Sequence, residues 1–230
     1  MGETVEFASN GATASGYLAT PPGGSGPGVI VIQEWWGLVP QIKRVCDRLA
    51  AEGFVGLAPD LYHGESASHT EMDKAGQLMS SLPPDRAARD MGGAVGFLLG
   101  HQAVQGEAVG ATGFCMGGAL TLLLAALQGP RIGAAVPYYG APLGDTAPEW
   151  SGLTASVLGH FAEEDQFFPV GPVRELEASL KKMGKDVTFV YHPGMGHAFA
   201  NEDNALGTYD AEAAQQAWGR TVEFLHKHLG

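Results

Sequence analysis

Gly113-Phe114-Cys115-Met116-Gly117-Gly118 follows an apolar run that ends at Thr112 and precedes the helix-forming stretch 119–127. A Gly-x-Cys-x-Gly-Gly segment in that setting demands a strand, a sharp turn and a helix in immediate succession, with a strained central residue lifted above a sheet. Glycines two before and two after the cysteine leave room for the strands on either side. Cysteine stands where serine is usual. Downstream come Asp165 and then His197, each on a loop-like segment. Nucleophile, acid, histidine is the chain order of a triad assembled on such a turn.

The rest of the chain supplies the sheet that this turn requires. Residues 28–33 are a continuous apolar run after a Gly/Pro-rich loop, as a central parallel strand buried on both faces reads. Ile42, Val45, Cys46 and Leu49 fall at i, i+3, i+4 and i+7, an amphipathic helix that Gly53 ends. Residues 54–58 are a second strand, and 107–112, 132–139, 156–161 and 187–192 are four more. Helices are expected at 70–81 and 85–99, divided by Pro83-Pro84, and at 119–127, 171–183 and 209–228. The last should lay Ala211, Ala214, Trp218, Val222 and Leu225 along the sheet. Strands alternating with helices predict an α/β fold, a mostly parallel central sheet with helices on both faces. Residues 5–7 and 16–19 should form an antiparallel N-terminal edge. No repeat or linker divides the chain, so 230 residues predict a single domain.

Charge and cysteine content narrow the chemistry. A net charge of −12 lacks the clustered Lys and Arg that nucleic acid or an anionic membrane requires. Two cysteines, Cys46 and Cys115, exclude a disulfide framework and a four-sulfur zinc site, which fits a reducing cytoplasm. The N-terminus has no basic start followed by an apolar core, so no secretory signal is expected. The longest strongly apolar stretch is far below the roughly 20 residues of a membrane span. His63 with His69, and His226 with His228, have neither i, i+4 spacing nor a matching carboxylate. These histidines, with His101 and His192, are expected to be solvated, and no metal or cofactor is expected. Gly23 to Gly28 precedes a strand, whereas a phosphate cradle follows one.

Each residue of the constellation has a plainer account beside it. A cysteine between glycines is often a small buried hydrophobe, and Cys46, inside an apolar helical stripe, is expected to be that. Cys115 differs in opening a helix, whose N–H groups and dipole favour the thiolate. His197, in Pro193-Gly194-Met195-Gly196-His197, follows a strand and can serve as the base; Asp165 would hold its tautomer, although Glu163 and Glu164 beside it make a solvated acidic loop the alternative. The N–H of Met116 is one oxyanion donor by the elbow's geometry. Trp35 N–H, in the loop after the first apolar strand, is the expected second. Glu34, ending that strand, is either a structural carboxylate or a functional one at the sheet's ligand-binding end.

Together, Gln33-Glu34-Trp35-Trp36-Gly37, Ala58-Pro59-Asp60-Leu61-Tyr62, the elbow, Asp165 and Gly196-His197-Ala198-Phe199 resemble the dienelactone hydrolase family of the α/β-hydrolase superfamily, over nearly the whole chain. The resemblance implies that Cys115 is the nucleophile, His197 the general base and then acid, and Asp165 the residue orienting it. It implies that Glu34 hydrogen-bonds the resting thiol and helps take its proton when substrate arrives.

The chain departs from the family where substrate is gripped. Members that open dienelactone hold its carboxylate with two arginines, one four residues after the histidine and one after the Asp-Leu-Tyr motif. Asn201 occupies the first position, and no arginine lies between Arg48 and Arg86. An asparagine cannot supply paired charged donors, so a neutral ester or lactone is the expected small-molecule substrate, acted on by a monomer. Trp36, Tyr62, Tyr138, Tyr139, Phe199 and Asn201 are its expected surroundings. Two further readings remain: a catalytically silent binding protein on the same fold, and a dienelactone hydrolase that anchors the carboxylate through Lys74 or Arg86.

Overall fold

The computed structural model describes residues 2–9 and 11–230. Among them, eight strands, β1 (Glu3–Ser9), β2 (Ala12–Ala19), β3 (Gly26–Ile32), β4 (Val55–Pro59), β5 (Val104–Phe114), β6 (Ile132–Tyr138), β7 (Ser156–Ala162) and β8 (Val187–His192), pair in the order β1-β2-β4-β3-β5-β6-β7-β8. Six α-helices alternate with them: α1 (Pro40–Ala51), α2 (Met72–Ser80), α3 (Pro84–Gly100), α4 (Met116–Gln128), α5 (Val170–Lys182) and α6 (Ala211–Leu229). This is the expected α/β architecture, a mostly parallel sheet with an antiparallel edge. Packing divides the chain into two units, Met1–Gly110 and Ala111–Gly230, and β5 runs from the first into the second.

In the first unit, β1 runs antiparallel to β2 from Glu3 opposite Leu18 to Ser9 opposite Ala12, β2 is antiparallel to β4, and β4 is parallel to β3. Val29 to Ile32 are wholly enclosed, which is why this strand shows no polar alternation. α1 buries Ile42, Val45, Cys46 and Leu49 as its spacing predicts, each large aliphatic contributing about 1.5–3 kcal/mol. A Cβ on Gly56 of β4 would press within 3.1 Å of the Cys46 Cα, so glycine sets how closely this helix packs. Gly53, at φ 94°, ends the helix, and the Phe54 N–H donates to the Leu49 carbonyl at 3.0 Å. Pro84 opens α3.

His63 is exposed as expected, but Asp90 of α3 corrects the expectation that this histidine lacks a matching carboxylate. Asp90 is buried, accepts the Ser9 hydroxyl at 2.5 Å, and lies 2.8 Å from Nε2 of His63. His63 therefore has a carboxylate partner 27 residues away, which sequence proximity does not reveal.

In the second unit, β6, β7 and β8 run parallel, with Ala134 opposite Ser156, Tyr138 opposite His160, and Ala162 opposite His192. α6 buries Ala217, Thr221 and Leu225. Of the five residues expected on that face only Leu225 is buried; Ala214, Trp218 and Val222 are its half-buried flank and Ala211 is exposed. The true face centres on a threonine, which a count of apolar residues passes over. No helix among the described residues is long and apolar enough to cross a membrane.

Candidate active site

Cys115 joins β5 to α4 with φ 57° and ψ −120°. A non-glycine residue held there carries about 1–3 kcal/mol of backbone strain, sustained by its surroundings. Its N–H donates to the Tyr138 carbonyl at 3.1 Å, and its carbonyl accepts from Gly118 and Ala119 as α4 begins. The glycines are explained by what their missing side chains would strike. A Cβ on Gly113 would overlap the Gly117 carbonyl, and one on Gly118 would approach the Tyr138 carbonyl. A Cβ on Gly140 would overlap the Cys115 carbonyl oxygen. Gly113 thus makes room for the first turn of α4, while Gly118 and Gly140 let the end of β6 close on the elbow. Cys115 is partly exposed and Cys46 buried. Burial pushes the Cys46 thiol far above the ordinary range, with Asp47 adding to the shift, so Cys46 is inert core.

Asp165 lies just beyond β7 and His197 just beyond β8. Nδ1 of His197 is 2.8 Å from Oδ2 of Asp165, and their side chains are 5% and 1% exposed. The other carboxylate oxygen, Oδ1, accepts the N–H groups of Phe167 and Phe168 at 2.8 and 2.9 Å. With the carboxylate fixed as acceptor, Nδ1 carries the proton and Nε2 is the basic nitrogen. Tyr139 packs edge-on to the His197 ring at 5.2 Å, between neighbours Tyr138 and Gly140 that abut the cysteine backbone. The same short segment after β6 therefore braces both the elbow and the histidine. Glu163 pairs with Arg174 at 2.7 Å, which separates its role from that of Asp165.

Beside His197 opens a cavity of about 580 Å³ that sequence reading did not anticipate. Glu164, Phe167, Met195, Tyr209 and Asp210 are among its walls. Phe167 is 57% exposed beside it, and no local sequence pattern marks the cavity.

A second unanticipated feature is a buried polar network around His160 and His192. His192, expected to be solvated, is 7% exposed, and His160 is fully buried. Nδ1 of His160 is 3.2 Å from Nε2 of His192, and Nε2 of His160 is 3.3 Å from the Thr221 hydroxyl. That hydroxyl donates to the Ala217 carbonyl at 2.9 Å and lies 2.6 Å from the Tyr138 hydroxyl. Thr221 has one proton to give. Its oxygen therefore accepts from Tyr138 and from Nε2 of His160, and Nδ1 of His160 accepts from Nε2 of His192. Burial holds His160 well below the ordinary imidazole range, with His192 and Arg220 adding to the shift; burial followed by Arg220 also lowers His192.

The remaining expected residues are placed as follows. Tyr138, Tyr139 and Phe199 are all enclosed, and Phe199 links His192 at 4.6 Å to Tyr139 at 5.5 Å. Asn201 is buried, and its side-chain oxygen accepts the Asp203 N–H at 3.0 Å. In the first unit, Glu34 lies two residues beyond β3 and is 2% exposed. The loop that follows is tied to the one after β4. The Gln33 side chain accepts the Leu61 N–H at 3.1 Å, Tyr62 donates to the Trp35 carbonyl at 3.2 Å, and Ala67 N–H donates to the Trp36 carbonyl at 2.9 Å. Trp36 lies between Trp35 and the His69 ring at 4.9 and 5.0 Å. Arg86 reaches the Leu61 carbonyl at 3.4 Å. Among the described residues no three of His, Cys, Asp and Glu gather as a metal centre requires.

Comparison with known proteins places the chain in a family. The model of the dienelactone hydrolase family matches residues 14–229. The chain is 40% identical to Protein usf of Aquifex pyrophilus and 37% identical to a protein of Aquifex aeolicus named "Putative carboxymethylenebutenolidase", covering all of each chain in both cases. A crystal structure named "Putative Dienelactone Hydrolase", from Klebsiella pneumoniae, superposes with a TM-score of 0.83 at 27% identity, over 99% of both chains. A match of this length, from β2 to the end of α6, means that the chain belongs to the dienelactone hydrolase family, hydrolases of the α/β-hydrolase fold that act on esters and lactones.

Proposed function

We propose that the protein hydrolyses a neutral carboxylic ester or lactone through a thioester formed on Cys115. The His197 and Asp165 pair carries this reading: a buried imidazole whose Nδ1 is bound to a carboxylate keeps Nε2 as a base, in the same unit as a cysteine on a strained elbow. Nε2 takes the thiol proton, and Sγ attacks the carbonyl carbon to form a C–S bond. The oxyanion is held by the N–H groups of Met116, at the positive end of α4, and Trp35. Collapse breaks the C–O bond, and the leaving oxygen takes the proton from His197. Water then gives a proton to Nε2 and attacks the thioester carbon. The C–S bond breaks, the acid departs, and the proton returns to Cys115. No cofactor or metal is required by this sequence of steps.

Glu34, in the motif Gln33-Glu34-Trp35-Trp36-Gly37, would hydrogen-bond the resting thiol and help His197 take its proton when substrate arrives, as the family resemblance implies, and its burial just past a strand suits a group kept for chemistry rather than solvation. Trp36, Tyr62, Tyr138, Tyr139, Phe199 and Asn201 remain the proposed surroundings of the acyl group, and the absence of arginine at 201 supports a neutral one. The test is hydrolysis of p-nitrophenyl acetate with mass spectrometry of the quenched enzyme. An acetyl adduct on the peptide containing Cys115, and turnover lost in Cys115→Ala, are expected. Undiminished turnover by Cys115→Ala would defeat the cysteine assignment.

A further inference from the structure

The cavity beside His197 is walled by three segments held together by hydrogen bonds. Glu164 N–H donates to the Met195 carbonyl at 2.9 Å, Asp210 N–H donates to the Phe199 carbonyl at 3.0 Å, and the Thr208 hydroxyl donates to the His197 carbonyl. Thr208 also packs where a Cβ on Gly196 would stand, 2.9 Å from its Cγ2. Phe167 is set over His197 by the turn that Asp165 closes, with ring centres 4.8 Å apart. About 580 Å³ lies within the range of small-molecule sites.

Two observations identify what enters. The walls include His197 but neither Cys115 nor Met116. The acyl carbon must bond Sγ, so a space bounded by the histidine alone is suited to the group attached to the oxygen that the histidine protonates. The lining residues also include two acids, Glu164 and Asp210, and no lysine or arginine, together with the aromatic residues Phe167 and Tyr209. Like charge disfavours an anion there, and carboxylates next to aromatic faces favour a cation.

Resting on the proposed acyl transfer at Cys115 and His197, we infer that this cavity is the leaving-group subsite and selects esters of neutral or cationic alcohols against anionic ones. Glu164 is a specificity residue of this subsite and Phe167 its platform. Asp210 has a structural duty as well, since its side chain caps α6 by accepting the Ala213 N–H at 2.8 Å.

The test uses three acetate esters whose alcohols share a two-carbon arm and end in trimethylammonium, tert-butyl or sulfonate: acetylcholine, 3,3-dimethylbutyl acetate and 2-sulfoethyl acetate. Each kcat/KM is measured for the wild type, Glu164→Gln, and Glu107→Gln, an exposed control with the same change in net charge. Intrinsic leaving-group reactivity cancels when the variants are compared with the wild type. The expected result is that Glu164→Gln narrows the cationic-to-anionic ratio by about threefold to tenfold at low ionic strength, while Glu107→Gln leaves it within twofold. Phe167→Ala should raise KM for the cationic and neutral esters. A ratio unchanged by Glu164→Gln, or changed equally by Glu107→Gln, would overturn the subsite. So would hydrolysis of p-nitrophenyl acetate with none of the three esters turned over. Failure to hydrolyse any ester, p-nitrophenyl acetate included, would instead remove the acyl-transfer reading on which the subsite rests.

Discussion

Nδ1 of His197 stands 2.8 Å from Oδ2 of Asp165, and the other oxygen of that carboxylate is held by the amides of Phe167 and Phe168. One short turn therefore orients the imidazole and also places the aromatic ring that covers it. Replacing Asp165 by Asn presents an amide N–H or a neutral oxygen to Nδ1 and releases the tautomer. Asp165→Asn should keep its circular dichroism spectrum and lose about 10²- to 10⁴-fold in kcat/KM for p-nitrophenyl acetate. Less than a fivefold loss would show that this carboxylate does not serve the reaction.

The two cysteines should differ in reactivity. Cys115 is partly exposed at the start of α4, whereas Cys46 is enclosed with its thiol strongly favoured over the thiolate. Brief treatment with iodoacetamide at neutral pH should add one carbamidomethyl group, on Cys115, and abolish esterase activity in proportion. Equal labelling of both cysteines in the folded protein would contradict the burial of Cys46.

Gly140 is where a methyl group should do most local damage to the elbow. The added Cβ would overlap the Cys115 carbonyl oxygen, and neither the end of β6 nor the start of α4 can move without breaking the Cys115 to Tyr138 hydrogen bond. Gly140→Ala should lower the unfolding free energy by at least about 2–3 kcal/mol in urea titration. Gly171→Ala, with open space at its Cβ, is the matched control and should change it by less than about 1 kcal/mol.

Acid should act on the protein through the buried histidines. His160 is packed among Tyr138, Thr221 and His192, with Arg220 the nearby cation that adds to its shift. Its folded pKa lies below the unfolded value, so the unfolded chain binds the extra proton. The stabilisation is fully present above about pH 6.5 and is lost as pH falls toward the folded pKa, at roughly 1.4 kcal/mol per pH unit per proton. Tm should decline from pH 7 to pH 5, and His160→Phe, which removes the titrating group, should flatten that decline whatever its effect at pH 7. An unaltered slope in the variant would assign acid sensitivity elsewhere.

Thr221 makes the same network testable without changing charge. Thr221→Val keeps the shape but leaves Nε2 of His160 and the Tyr138 hydroxyl without their shared acceptor, a cost of about 1–3 kcal/mol per buried group. Unfolding by urea should register the full loss. A change below about 0.5 kcal/mol would mean that the hydroxyl does not hold the network together.

How much was legible in the chain itself follows from how local each signal is. The run 28–33, the 42–49 stripe, Gly53, and Pro84 identified β3, α1 and α3 closely, because alternation, helical spacing, and the backbone preferences of Gly and Pro act within a few residues. The elbow was readable for the same reason: six consecutive residues carry it. Local pattern failed where the partner is remote. Asp90 meets His63 and Ser9 from 27 and 81 residues away, and His160 meets Thr221 from 61 residues away. Nothing in the neighbourhood of His192 marks it as buried, and Thr221 hides the inner face of α6 from any count of apolar residues.

Sequence alone therefore determined the order of strands and helices, the strained cysteine between them, and the candidacy of Asp165 and His197, since all of these rest on short-range conformational and chemical preferences. Only tertiary structure decided which nitrogen of His197 is bound and by which carboxylate oxygen, which histidines are enclosed, and that Glu164, Phe167 and Asp210 wall one cavity beside His197. Parallel strands bring the loops at their ends together however far apart those loops lie along the chain, and distances of a few ångströms across such loops are set by packing, which no local stretch of residues encodes.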